Sequence, residues 1–162
     1  MTTKKNNFYG RVLIYLALFL SCSFVFTQQR DKENIDELLN NLFKAFEQQD
    51  IKLHQEIWSQ SDELRIIGVF ENSNFCGWSE FKVHLNKTLK TAKNIKLTEY
   101  ERKTGISRDG KTGWFYMLVD EIIELPAKRV KLAKMRYTGV VRKEISGWKI
   151  IQFHGSVPEY MK

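Results

Sequence analysis

From Ile95 onward the large apolar residues of this chain recur at every second position, in four long segments: 94 to 104, 113 to 125, 129 to 144 and 147 to 157. Successive side chains of a strand point to opposite faces, so a sustained period of two predicts a β-strand with one buried face. Turn signals separate the segments at Asp109-Gly110, Leu125-Pro126-Ala127 and Ser146-Gly147, which predicts antiparallel neighbours.

Upstream the period is three to four. Ile35, Leu38, Leu39, Leu42, Phe43 and Phe46 lay one apolar stripe along a helix over 33–49. Asp50 is the natural cap of a second, short helix reaching Trp58. A strand-length run, 64–70, and a loop, 71–77, precede a third helix over 79–93 whose inner face is Phe81, Leu85, Thr88 and Leu89. Helices followed by strands make an α+β order. The expected architecture packs the N-terminal helices in a strongly curved antiparallel sheet and leaves room for a pocket at one end. Glycines at 105, 110, 113, 139, 147 and 155 would permit its bends and turns. With 162 residues, 43% apolar and 28% charged, the chain suits one folded core and excludes a disordered segment.

The chain opens with the basic stretch MTTKKNNFYGR, and Val12 to Phe26 follow without a charge. A basic start before a short apolar run is the pattern of a secretory signal, and the run falls short of the roughly 20 residues that span a bilayer. Residues 1–27 are therefore expected to be a signal peptide and 28–162 an exported domain, periplasmic or secreted. Phe19-Leu20-Ser21-Cys22 resembles a lipobox. Cys22 is then either the lipidated first residue of a lipoprotein or a small residue in the apolar run. Membrane attachment is expected only through that lipid or an uncleaved leader.

Removing residues 1–27 takes away three positive charges and no negative ones, lowering the net charge from +7 to +4. Beyond residue 30, Lys and Arg are mixed with Glu and gather into no basic stripe, which argues against a nucleic-acid partner. Cys76 would be the one cysteine left, too few for an intrachain disulfide or a metal site. No phosphate-cradling glycine loop, zinc-ligand spacing or nucleotide motif is present, so neither cofactor nor metal is expected.

Three stretches carry a family resemblance. Gly147-Trp148-Lys149-Ile150-Ile151-Gln152-Phe153-His154-Gly155-Ser156-Val157-Pro158 resembles the closing strand of SnoaL-like proteins of the nuclear-transport-factor-2-like superfamily. Tyr137-Thr138-Gly139-Val140-Val141-Arg142-Lys143 resembles the strand paired with it, and Phe75-Cys76-Gly77-Trp78-Ser79-Glu80-Phe81 the entry into the third helix. The resemblance implies a cone-shaped domain, a homodimer through the open sheet, and metal-free acid–base chemistry wherever a member is an enzyme. Its members include cyclases, isomerases, dehydratases, hydrolases and interaction modules, so fold alone does not choose among them.

Strand parity supplies the site candidates. Trp148, Ile150, Gln152, His154 and Ser156 share one face of the last strand. Trp114, Tyr116, Leu118, Asp120 and Ile122 share a face opposed by Phe115, Met117, Val119 and Glu121, and Arg136 stands opposite Met135 and Tyr137. His154 is either a proton-transfer group or a hydrogen-bonded structural residue. Asp120, among apolar neighbours, is either a general base with a raised pKa or a solvated charge. Arg136 could hold an anionic ligand. Tyr116, Trp114, Gln152, Trp78 and Phe75 either line a pocket or fill the core. Three functions follow: an exported binding or accessory domain for a small apolar or weakly acidic organic molecule; a cofactor-free lyase, isomerase or hydrolase acting on a small hydrophobic substrate through His154 and Asp120; or a protein-interaction module.

Overall fold

The structure is a computed structural model that describes residues 27–158; the expected leader, apart from Thr27, and Cys22 lie outside them. Helix α1 covers residues 27–47 and α2 covers Ile51–Ile57. Strands β1 (Arg65–Ile67) and β2 (Asn74–Cys76) lead into α3 (Trp78–Thr91). Four long strands follow: β3 (Asn94–Ile106), β4 (Thr112–Glu124), β5 (Arg129–Glu144) and β6 (Gly147–Ser156).

The apolar stripe of α1 is buried as its spacing demands, with Ile35, Leu39 and Leu42 sealed from water. Burying a side chain of that size contributes about 1.5–3 kcal/mol relative to leaving it exposed. The junction to α2 reverses the chain in a single residue. Gln49 adopts φ +54°, its N–H donates to the Phe46 carbonyl at 3.2 Å, and the Asp50 N–H donates to Ala45 at 2.9 Å. Both are helix-terminating bonds of the kind usually built around glycine. The Gln49 side chain offsets the backbone strain by donating to the carbonyls of Leu89 (2.9 Å) and Ala92 (2.7 Å), which ties α1 to the end of α3. Asp50 Oδ1 then accepts from the Lys52 and Leu53 N–H groups and caps α2.

The sheet corrects the sequence expectation. Its strand order is β2-β1-β6-β5-β4-β3. The four long strands are antiparallel as expected, but β1 runs parallel to β6, pairing Arg65 with Gln152 and Ile67 with His154. The sheet is therefore mixed, and it is open, with β2 and β3 as free edges. It is not the strongly curved antiparallel sheet of a closing cone. Part of the expected loop 71–77 is strand β2, paired with β1 in a short hairpin. Parallel entry of β1 begins at Ser59, whose N–H donates to Ile150 O at 2.9 Å directly after α2.

The glycines explain why curvature was overestimated. A methyl group on Gly139 would meet the Phe115 ring and the Gln152 carbonyl, and one on Gly105 would meet the Trp114 indole. These positions leave room for rings of the neighbouring strand.

Three register shifts do change what each face presents. Tyr100 is an extra residue on β3, Ile151 is an extra residue on β6, and β5 gains one near Lys134, which adopts φ +51°. A bulge exchanges the faces of the residues beyond it. On β6, Trp148 and Ile150 are buried among the core residues, but past Ile151 the alternation resets and Phe153 turns inward.

Candidate functional site

The inner face of the sheet is the one that carries the core: Phe115, Met117 and Val119 of β4 are buried, as are Met135 and Tyr137 of β5. At the end of this face the packing is incomplete. Between the sheet, α3 and the β1–β2 hairpin lies a cavity of about 220 Å³. Its walls are chiefly rings, including Phe75, Phe81, Trp58 and Phe153. Phe153 lies 4.9 Å from Tyr137 and 5.7 Å from Trp58, centroid to centroid, and Trp58 lies 4.9 Å from Phe81. The half-buried His84 and Thr88 of α3, with the exposed Phe70 of the hairpin, form its rim.

Two polar side chains meet inside this apolar shell. The Tyr137 hydroxyl donates to Glu121 Oε2 at 2.8 Å. The surrounding protein withdraws the Glu121 carboxyl from bulk water and raises its pKa, an effect the Tyr137 hydrogen bond partly opposes. Burial, and then the adjacent carboxylate, push the Tyr137 phenol well above its usual range, so it stays a donor. Glu121 nonetheless keeps accessible surface, as a residue lining a cavity must, and its Oε1 takes no hydrogen bond from any described residue. At the rim, His84 stacks 4.4 Å from Phe75, and its pKa is lowered by burial and then by Lys87.

The sequence candidates divide between the two faces. Phe75 lines the cavity, and Trp78 is buried in the core beside Phe81. The other six, Trp114, Tyr116, Asp120, Arg136, Gln152 and His154, fall on the opposite, outer face of the sheet. The register sets them in rows: Trp114 beside Val140 beside Gln152, and Tyr116 beside Thr138 beside His154. His154 and Asp120 therefore do not share the cavity. Arg136 is exposed and donates to the Val157 carbonyl at 2.9 Å.

Asp120 departs furthest from the expected general base. Its Oδ1 accepts from the Lys134 N–H at 2.7 Å and its Oδ2 from the Tyr100 hydroxyl at 2.8 Å. Those bonds lower its pKa, the Lys134 amide most, which is the opposite of a general base with a raised pKa and fits the other reading, a solvated charge. Asp120 is a clasp joining the bulge residue of β3 to the positive-φ residue of β5.

Glu121 is the residue that sequence reasoning passed over. A signal existed: Phe115, Met117 and Val119 are as apolar as Trp114, Tyr116 and Leu118, and their face ends on a carboxylate. Choosing between two apolar faces requires knowing on which side the helices pack, and parity does not supply that.

A larger groove, about 680 Å³, lies between α1 and β3, but it is open and lined mostly by polar and charged groups. Its Arg102 is already held by Glu99, at 2.5 Å, and by the Asp36 carbonyl at 2.9 Å. Among the described residues no cluster of three or more His, Cys, Asp or Glu side chains is placed to hold a metal, and no helix is long and apolar enough to cross a membrane.

The fold has many counterparts. A nuclear transport factor 2-like superfamily protein from Salmonella enterica superposes with a TM-score of 0.73 at 18% identity, over 83% of this chain and 95% of that one. A nuclear transport factor 2-like family protein from Streptomyces avermitilis gives 0.71 at 13% identity, over 82% and 99%. One of unknown function from Pseudomonas putida gives 0.66 at 16% identity, over 80% and 88%. At these identities the likeness is one of fold. No curated protein sequence matches the chain. The SnoaL-like domain profile matches residues 35–160, which takes in most of α1, all of α2 and α3 and every strand of the sheet, and the chain belongs to the SnoaL-like domain family.

Proposed function

We propose that this is an exported domain that binds a small organic molecule in the cavity between α3 and the inner face of the sheet. The observation that carries the reading is the combination of ring-lined walls with one withdrawn carboxyl, Glu121, whose second oxygen has no protein partner. Binding sites are typically apolar enclosures with a few placed polar groups. Chemistry through His154 and Asp120 has no such support, because the cavity contains neither.

The outer face supports a second element of the proposal, self-association into a homodimer. It exposes Ile67 (46%) and Trp114 (52%), the latter also lining the groove beside α1. An apolar surface of this kind is normally covered in a working assembly.

Native mass spectrometry of protein purified without denaturation tests the binding reading. The expected result is a discrete added mass, released on unfolding, that disappears in Thr88→Phe, where a ring from α3 fills the cavity. An adduct retained by a stably folded Thr88→Phe would place the ligand elsewhere and overturn the reading.

A further inference from the structure

Resting on the cavity being a binding site, we infer that its ligand is a single-ring or similarly small apolar molecule carrying a protonated amine, and that Glu121 Oε1 is the atom that selects it. Four observations converge on that chemistry. First, size: about 220 Å³ lies below the roughly 300–1,000 Å³ of drug-sized sites. Second, the open hydrogen-bonding position beside the Tyr137 hydroxyl is an acceptor. Tyr137 has spent its only proton on Glu121 Oε2, so Glu121 Oε1 awaits a donor.

Third, the sign of charge is one-sided. Among the described residues no lysine or arginine lines the cavity. His84 at the rim is held toward its neutral form, so a bound carboxylate would face Glu121 with no counter-charge. Fourth, the walls are aromatic, and π-faces favour a cation over a neutral or anionic group. Glu121 Oε1 takes no hydrogen bond from a described residue, and an ammonium would supply both a bond and the opposite charge. A neutral alcohol would supply the bond alone.

The test titrates the full protein with three matched probes, 2-phenylethylamine, 2-phenylethanol and phenylacetate, by calorimetry and ligand-observed NMR. The expected order is amine first, by about tenfold over the alcohol, with phenylacetate weakest. Amine affinity should rise with pH as Glu121 ionises. Glu121→Gln, verified as folded by its melting curve, should bring amine and alcohol to within about threefold.

If the alcohol or phenylacetate binds as well as the amine, or if the preference survives in Glu121→Gln, the inference fails. Loss of that binding in Thr88→Phe would then still support the cavity as the site. If none of the three binds at millimolar concentration, the inference falls, and the native mass-spectrometry comparison of the wild type with Thr88→Phe decides the cavity reading.

Discussion

His54 sits fully buried between Phe46, 4.5 Å away in an edge-to-face contact, and Trp58, whose indole N–H donates to His54 Nδ1 at 3.2 Å. That bond places the imidazole proton on Nε2, where no protein acceptor meets it with good geometry. Burial lowers the pKa from 6.5 to about 4, against the pull of Asp50. The folded state therefore resists protonation that the unfolded chain accepts. Its stability is full above pH 6.5 and falls as the pH drops towards 4, by about 2 kcal/mol between pH 7 and pH 5 from this group. Urea melts at those two pH values should show the loss for the native protein and a much flatter profile for His54→Gln. Asp31 makes a second residue-scale prediction. Buried in α1, it accepts from Lys143 Nζ at 2.6 Å and from the Trp148 indole at 3.2 Å. Asp31→Ala would orphan the buried indole N–H and cost about 1–3 kcal/mol, readable as a lower denaturation midpoint at unchanged m-value.

At the scale of elements, the α1–α2 junction and the β4–β5–β6 ladder show local chemistry being completed from a distance. Asp50 announces α2 in the sequence, and Asp50→Ala should destabilise the protein by about 1 kcal/mol, within the range of capping residues, as measured by chemical denaturation. Gln49 announces nothing. Its positive φ is tolerated because the carbonyls of Leu89, in α3, and of Ala92, just past its end, accept the side-chain amide. On the ladder, Gly139→Ala should be strongly destabilising and cut the yield of folded protein, because the Phe115 ring and the Gln152 carbonyl occupy the space its methyl needs. The element boundaries were legible nearly throughout, since period and turn residues are local properties. Strand β2 was not, because Asn74, Phe75 and Cys76, at the end of an Asn- and Ser-rich run, become a strand only when β1 lies beside them.

At the scale of the whole molecule, one sheet serves two unrelated surfaces. The proposed function assigns ligand recognition to the inner face and self-association to the outer one. Trp114→Glu should therefore weaken the dimer in sedimentation analysis and leave probe affinity unchanged, while Glu121→Gln should do the reverse. A mutation that moved both readouts together would contradict the separation. The sequence by itself determined the kinds of element, their order, the capped α2 and the family, because hydrophobic period and turn chemistry act between residues a few positions apart. Only the tertiary structure decided that β1 runs parallel to β6, that the sheet stays open, and which of two nearly equal apolar faces on β4 is inside. Large side chains occupy both parities of that strand, and bulges at Tyr100, Ile151 and Lys134 reset the alternation, so the choice fell to where the helices pack. That choice placed Glu121 in the cavity and Asp120 on the opposite face.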